Sequence, residues 1–375
     1  MRDPRIDKLA HLLVTYSTEV RPDQLVRISG PPVSRPLLAA LFRQVLRAGG
    51  HPFVQMSPDE CEEILLAEGS EAQLRHESAL DLHMVDQIDV SIGIWGEDNT
   101  KSLSCADPAR QAWRSLARRP YRAKLMERAA KGELRWVGTQ MPCHAAAQDA
   151  EMSLESYEEF VFTAGLLHLD DPAAAWREIS QRQQRLADHL NGCREVRFVA
   201  PNGTDLRVAI AGRRWINCDG KENFPDGEVF TGPIEDATTG TVCYSFPAVH
   251  DGREVDGIRL RFESGRVVDA SATKGEAFLV AMLDQDAGAR VLGEVAIGTN
   301  YAIERYTKNT LFDEKIGGTF HAALGAAYPE SGGKNDSGLH WDMVCDLRDG
   351  GEIYADGKLI SQNGVFVDPT WPRRE

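Results

Sequence analysis

The segment Leu339-His-Trp-Asp-Met-Val344 alternates apolar and polar residues. As a strand it sends Leu339, Trp341 and Met343 to one face and His340 and Asp342, side by side, to the other. An imidazole and a carboxylate presented together can bind one metal ion, although a solvated polar stripe has the same pattern. Phe320-His321-Ala-Ala-Leu-Gly-Ala-Ala-Tyr328 is rich in alanine, which predicts a helix ended by Pro329. Two turns apart, His321 and Tyr328 then share a face, either open to another segment or packed into the core with His321 hydrogen-bonded. Glu294 interrupts the otherwise apolar strand Arg290-Val-Leu-Gly-Glu-Val-Ala-Ile-Gly298. A buried carboxylate without a partner is costly, so Glu294 pairs with a cation, binds a metal or lies on a solvated edge. Glu228 opens the strand after the Asp226-Gly227 turn, where an exposed carboxylate is also common.

Glu228, Glu294, His321, Tyr328, His340 and Asp342 together form a set of hard oxygen ligands with two imidazoles. That chemistry suits zinc, cobalt, manganese or magnesium. Six ligands exceed the needs of one zinc and suit two ions about 3.5–4 Å apart, bridged by carboxylate and water.

The elements that position this set fall into two patterns. Over the first half, helices and strands alternate: a helix at 6–17, strands at 24–28, 51–56, 88–95 and 134–138, and helices at 34–47, 59–75 and 107–131. This β-α rhythm implies a parallel sheet with helices on its faces. Two helices follow, at 153–167 and 171–190, with Ser153 and Asp171-Pro172 at their starts. From about Glu195, short alternating strands with glycine turns (196–200, 206–210, 241–245, 257–262, 266–271) predict antiparallel sheet. The expected fold is therefore α/β: an N-terminal parallel-sheet domain over 1–192, and a C-terminal α+β metal-binding domain over 193–375 with largely antiparallel strands. Residues 369–375 read as a loose tail.

The 375 residues carry 42 Lys plus Arg against 57 Asp plus Glu, a formal charge of -15. A nucleic-acid or anionic-membrane partner needs basic surface, so neither is expected. No apolar run is long enough to span a bilayer, and no signal-peptide pattern follows the N-terminal methionine. The 7 cysteines include no C-x-x-C pair, which predicts free thiols in a reducing cytoplasm.

Asn223-Phe-Pro-Asp-Gly-Glu-Val-Phe-Thr231, Leu292-Gly-Glu294, Asn309-Thr-Leu-Phe-Asp-Glu314 and His340-Trp-Asp342 resemble the thermophilic metallo-aminopeptidases, the aminopeptidase T-like family. The resemblance runs upstream through Gln148 to Tyr157 and Asn202 to Leu206, and so covers roughly the whole chain. It implies two divalent ions held by Glu228, Glu294, His321, Tyr328, His340 and Asp342. It also implies an N-terminal α/β domain, a C-terminal metal domain, and a homodimer enclosing a cavity that admits short peptides. The stretch Val295 to Glu304 and the Thr319-Phe-His321 segment depart from the family pattern.

The implied reaction is removal of an N-terminal amino acid by a metal-activated water. Glu294 is either the bridging ligand or the base, and Tyr328 an unusual phenolate ligand. Asp313, Glu314 and Asp336 lie near enough in sequence to orient the histidines, though each is also readable as a solvated loop charge. His250, Lys308 and Lys334 are weaker options for substrate contact. His321, His340 and Asp342 alone would instead make a two-histidine, one-carboxylate site for mononuclear iron(II), as in the similar dihydroxypyridine ring-cleaving dioxygenases. The remaining alternative is a non-catalytic binding protein in which these residues are satisfied polar groups.

Overall fold

In the computed structural model, which describes residues 3–250 and 252–374, the chain divides into two compact units. One comprises residues 1–173 with 220–224, the other 174–219 with 225–375. The division falls near the start of the Pro172–Asn191 helix, whereas the boundary expected from sequence falls at its end.

The first unit holds four parallel strands, β1 (Leu25–Gly30), β2 (His51–Met56), β3 (Val90–Trp95) and β4 (Arg135–Gln140), in the order β2-β1-β3-β4. The short Asn223–Phe224 strand extends the sheet in parallel beside β4. Val26, Ile28, Val90, Ile92 and Val137 are buried, as expected where helices cover a parallel sheet. Two long helices expected from sequence are each broken. The 59–75 helix divides into Asp59–Glu68 and Glu71–Leu74, because Gly69 is extended and Ser70 opens a fresh capping box with Gln73. The 107–131 helix divides at Arg118, where Pro120 lies in the first turn of a second helix, Arg119–Ala130. A helix over Ala79–Gln87, which the sequence reading left out, starts where the Ser78 side chain accepts a hydrogen bond from the Asp81 amide.

The second unit contains an eight-stranded antiparallel sheet and a five-stranded one. The five are β5 (Ile216–Cys218), β6 (Glu228–Thr231), β7 (Leu292–Gly298), β8 (Thr319–Gly325) and β9 (His340–Asp346). Their order is β9-β8-β7-β6-β5, with every neighbouring pair antiparallel. The expected helix over 320–328 is therefore wrong. His321 lies on interior strand β8, hydrogen-bonded between β7 and β9, and Tyr328 lies beyond its end. All seven β8 residues are buried. A strand covered on both faces loses the alternation that marks a half-exposed strand, and its alanines reflect close packing rather than helix propensity.

One face of this sheet makes the core. Val229, Val295, Ile297, Phe320, Ala322, Leu324, Trp341 and Met343 belong to one apolar cluster with Phe198, Leu206, Val208 and Val242 of the larger sheet. Phe320 stacks on Phe198 with ring centroids 4.1 Å apart. Phe320→Ala is expected to cost about 3–5 kcal/mol, measurable as a lowered urea midpoint; an unchanged midpoint would contradict this packing. The tail is not loose as far as it is described. Trp371 is only 7% exposed, and its ring lies 4.9 Å from that of His189 and 6.0 Å from that of Phe366. Glu375 lies outside the described residues.

Candidate metal centre

The other face of the five-stranded sheet carries the polar residues. Strand register sets them in rows: Glu294 faces Ala323, which faces Asp342, and His340 faces Gly325. Glu228 faces Gly298 on one side and Cys218 on the other. Residues directly opposite one another point to the same side of a sheet, as do residues two apart along a strand. Glu228, Glu294, His321, His340 and Asp342 thus share one face, and Ala296, Ala323, Gly298 and Gly325 leave the space above it.

Two local devices aim the glutamates. The β7–β8 register shifts between Leu292 and Glu294, a bulge that redirects the Glu294 side chain. Gly293 allows it, because a β-carbon there would meet the Ala326 carbonyl oxygen at 2.1 Å. Gly293→Ala is expected to weaken divalent-ion affinity by about 10–100-fold, the usual cost of disturbing ligand support. Equilibrium dialysis measures this, and unchanged affinity would refute the role. Ahead of Glu228, Gly227 adopts φ +124 against Asn300, whose side-chain amide donates to the Asp226 carbonyl at 2.8 Å. Buried Gln183 secures the same corner: its amide donates to the Glu228 carbonyl at 3.1 Å and the Cys218 carbonyl at 2.9 Å.

The ligand atoms converge. Glu294 Oε1 lies 3.1 Å from His321 Nε2, while Glu294 Oε2 lies 3.7 Å from His340 Nε2. Asp342 Oδ1 is 3.8 Å from His321 Nε2 and 3.6 Å from His340 Nε2. Glu228 Oε2 is 3.6 Å from His321 Nδ1 and, though buried, has no hydrogen-bond partner. His340 Nδ1 is 2.9 Å from the Ala326 carbonyl, which holds that nitrogen as the donor and leaves Nε2 toward the carboxylates. Tyr328 stands at the rim, 44% exposed, with its ring edge-on to His340 at 5.2 Å and to Phe230 at 5.5 Å.

Two further charges belong to this cluster. Lys315, only 2% exposed, places Nζ 3.1 Å from Glu228 Oε1 and 2.5 Å from Glu314 Oε2. Glu314 also brings its backbone carbonyl 3.3 Å from His321 Nδ1. The sequence reading considered Glu314 for orienting a histidine but missed Lys315 and Gln183. Asp313-Glu-Lys resembles an ordinary surface charge run, and nothing local marks Lys315 as buried. Asp313 braces its own loop instead, accepting from the Thr307 and Asn309 amides. Asp336 is exposed. His250 packs on Trp341, on the opposite side of β9 from His340 and Asp342. Lys308 pairs with Glu254 at 3.1 Å, and Lys334 is exposed.

The acidic groups of the cluster crowd one another. Burial, and then Glu314, push the Asp342 carboxyl up to about 7 against the opposing pull of the histidines. Burial likewise raises Glu228 despite Lys315. Desolvation works to lower His321, but its bond with Glu294 and the charge of Glu228 outweigh it and lift the imidazole to about 10. Partial desolvation at the rim, with Glu294 and Asp342 behind it, raises the Tyr328 phenol above its ordinary value and keeps it protonated. An uncapped buried carboxylate oxygen amid four carboxylates fits a cation-binding site. Two triads, Glu228–Glu294–His321 and Glu294–His340–Asp342, each have ligand atoms within 4.8 Å of one another.

Comparison with known proteins agrees with this chemistry. The sequence profile of the thermophilic metalloprotease (M29) family matches residues 2–366, and the chain belongs to that family. It is thus a metal-dependent peptide hydrolase by class. It is 28% identical to Aminopeptidase 2 of Geobacillus stearothermophilus over 98% of each chain. It is 35% identical to Aminopeptidase T of Thermus thermophilus over 53% of this chain and 55% of that one. The solved structure of wild-type AmpT from Thermus thermophilus superposes with a TM-score of 0.86 at 26% identity, covering 97% of this chain and 99% of that one. A 2,5-dihydroxypyridine dioxygenase from Pseudomonas putida KT2440 shares the fold, with a TM-score of 0.60 at 13% identity over 97% of each chain. Among the described residues no helix is long and apolar enough to cross a membrane, and all seven cysteines are free.

Proposed function

We propose that this protein is an aminopeptidase that removes N-terminal amino acids from short peptides, using a water activated by two divalent ions. One observation carries the reading: the two oxygens of Glu294 face different histidines, Oε1 toward His321 and Oε2 toward His340. Glu294 would therefore help hold both ions, together with Glu228 and His321 for one and His340 and Asp342 for the other, and Tyr328 at the rim would be the sixth ligand. Zinc, cobalt, manganese or magnesium suits these donors. Bound there, the ions would supply Lewis acidity that lowers a water's pKa toward about 7 and stabilises the oxyanion.

The chain's own groups do the rest. Glu228, Glu294 and Asp342 would be neutralised by the ions they hold, so the peptide N-terminus would be accepted as its free, uncharged amine. With Glu294 serving as a ligand, another carboxylate would carry the proton from water to the leaving amine. Glu314, kept ionised by Lys315 and His321 against its burial, is our choice. The names of the relatives, all aminopeptidases, support this substrate class. A mononuclear iron site of His321, His340 and Asp342 would leave Glu228 and Glu294 without a role, and the dioxygenase likeness extends to the fold alone. We further propose a homodimer, and a reducing cytoplasmic setting consistent with the free thiols.

The test uses metal-free protein, a dipeptide panel and divalent ions restored singly. Hydrolysis of free dipeptides with at least one ion, and none of their N-acetylated forms, is expected. Inactivity with every ion, or equal cleavage of acetylated peptides, would overturn the proposal. Sedimentation velocity tests the dimer.

A further inference from the structure

A third group of ligating side chains adjoins the centre: Cys218, Asp226 and Glu228 also have ligand atoms within 4.8 Å of one another. Three triads therefore run in a row, joined through Glu228 and Glu294. The first differs chemically from the others, because a thiolate with two carboxylates attracts thiophilic ions such as zinc or cadmium. Cys218 lies directly opposite Glu228 on edge strand β5, so their side chains share a face. An ion in that triad would draw on Glu228, whose unpartnered Oε2 is needed beside His321.

Lys315 stands at this junction. Its ammonium is 3.1 Å from Glu228 Oε1 and almost wholly buried, and its charge acts on both Asp226 and Cys218. Resting on the two-ion reading, we infer that Lys315 is a resident cation that denies the Cys218–Asp226–Glu228 triad to a third, thiophilic ion. It ties down Oε1 of Glu228 and leaves Oε2 for the working pair. A divalent ion entering the triad would meet a fixed positive charge within a few ångströms, in a site too buried for water to screen it. Lys315 is thus a positioning residue that limits the centre to two ions.

Cadmium titration tests this, with two readouts: the ultraviolet thiolate-to-cadmium charge-transfer band, and cadmium retained per chain after gel filtration. In the wild type, subtraction of the C218S spectrum is expected to leave no band. K315M and K315Q are expected to gain a band that C218S removes, with one further ion per chain, while K315R behaves as wild type. A Cys218-dependent band in the wild type, or no gain in folded K315M or K315Q, overturns the inference. If neither variant folds, the wild-type difference spectrum decides alone. Ions bound independently of Cys218 report separately on the two-ion reading: fewer than two would sink that reading, while the Cys218-dependent difference still judges Lys315.

Discussion

Glu294→Gln is expected to eliminate peptide hydrolysis and to reduce bound divalent ions from two per chain to one or none. Glutamine keeps the size of the side chain but lacks its charge, and an amide nitrogen cannot ligate where Oε1 or Oε2 does. Loss of a residue that only orients a ligand already costs about 10–100-fold in affinity or activity. Loss of a ligand shared by both ions should exceed that range. Glutamine has the shape of glutamate, so even in this fully buried strand the substitution is sterically mild and the fold should survive. Initial rates on a dipeptide, paired with metal analysis of the purified variant, check the prediction. Full activity with two bound ions would remove Glu294 from the centre.

The second large effect is the stability of the metal-free protein across pH. His321 has a folded value of about 10, against about 6.5 in an unfolded chain. Asp342 has a folded value of about 7, against about 3.9 unfolded. Both values are raised, so in each case the folded state binds the proton more tightly than the unfolded state. The stability they contribute is fully present below the unfolded values and is lost as pH rises through the folded ones. The thermal midpoint of metal-free protein should therefore fall as pH is raised from about 4 toward about 10, first through Asp342 and then through His321. Divalent ions bind the deprotonated ligands, so their stabilising effect should grow over the same interval. Free ion at a thousandfold over Kd adds about 4 kcal/mol, or roughly 8–16 °C for a unit of this size. Calorimetry with and without chelator measures both effects. A metal-free midpoint that rises with pH, or an ion that does not move it, would contradict the electrostatic account.

Much of the site could be read from the sequence, and what could not has a physical reason. His340-Trp-Asp342 alternates as a strand with polar residues on one face, and so it folds. Glu294 and Glu228 stood out as carboxylates at or within apolar strands, and both side chains are buried. The mixed α/β class and the change from parallel to antiparallel sheet followed from loop and strand rhythm. The 320–328 segment misled because composition reports propensity, whereas the segment's partners, Ile297 and Ala296 on one side and Cys345 and Val344 on the other, are remote in sequence. Lys315 and Gln183 escaped for the same reason. Gln183 lies on a helix far upstream of Glu228. Lys315 gains its meaning only when Glu228 folds over it. The apolar face of the sheet was legible as core. The polar face was not legible as buried, because periodicity reveals which residues share a side but not what covers them.

The central claim is that Glu294 joins two ions. Protein crystals soaked in manganese or zinc, with anomalous difference maps recorded at the metal edge, test it most directly. The account predicts two peaks per chain about 3.5–4 Å apart, one beside each oxygen of Glu294. A single peak among His321, His340 and Asp342, with Glu228 and Glu294 turned away, would contradict it.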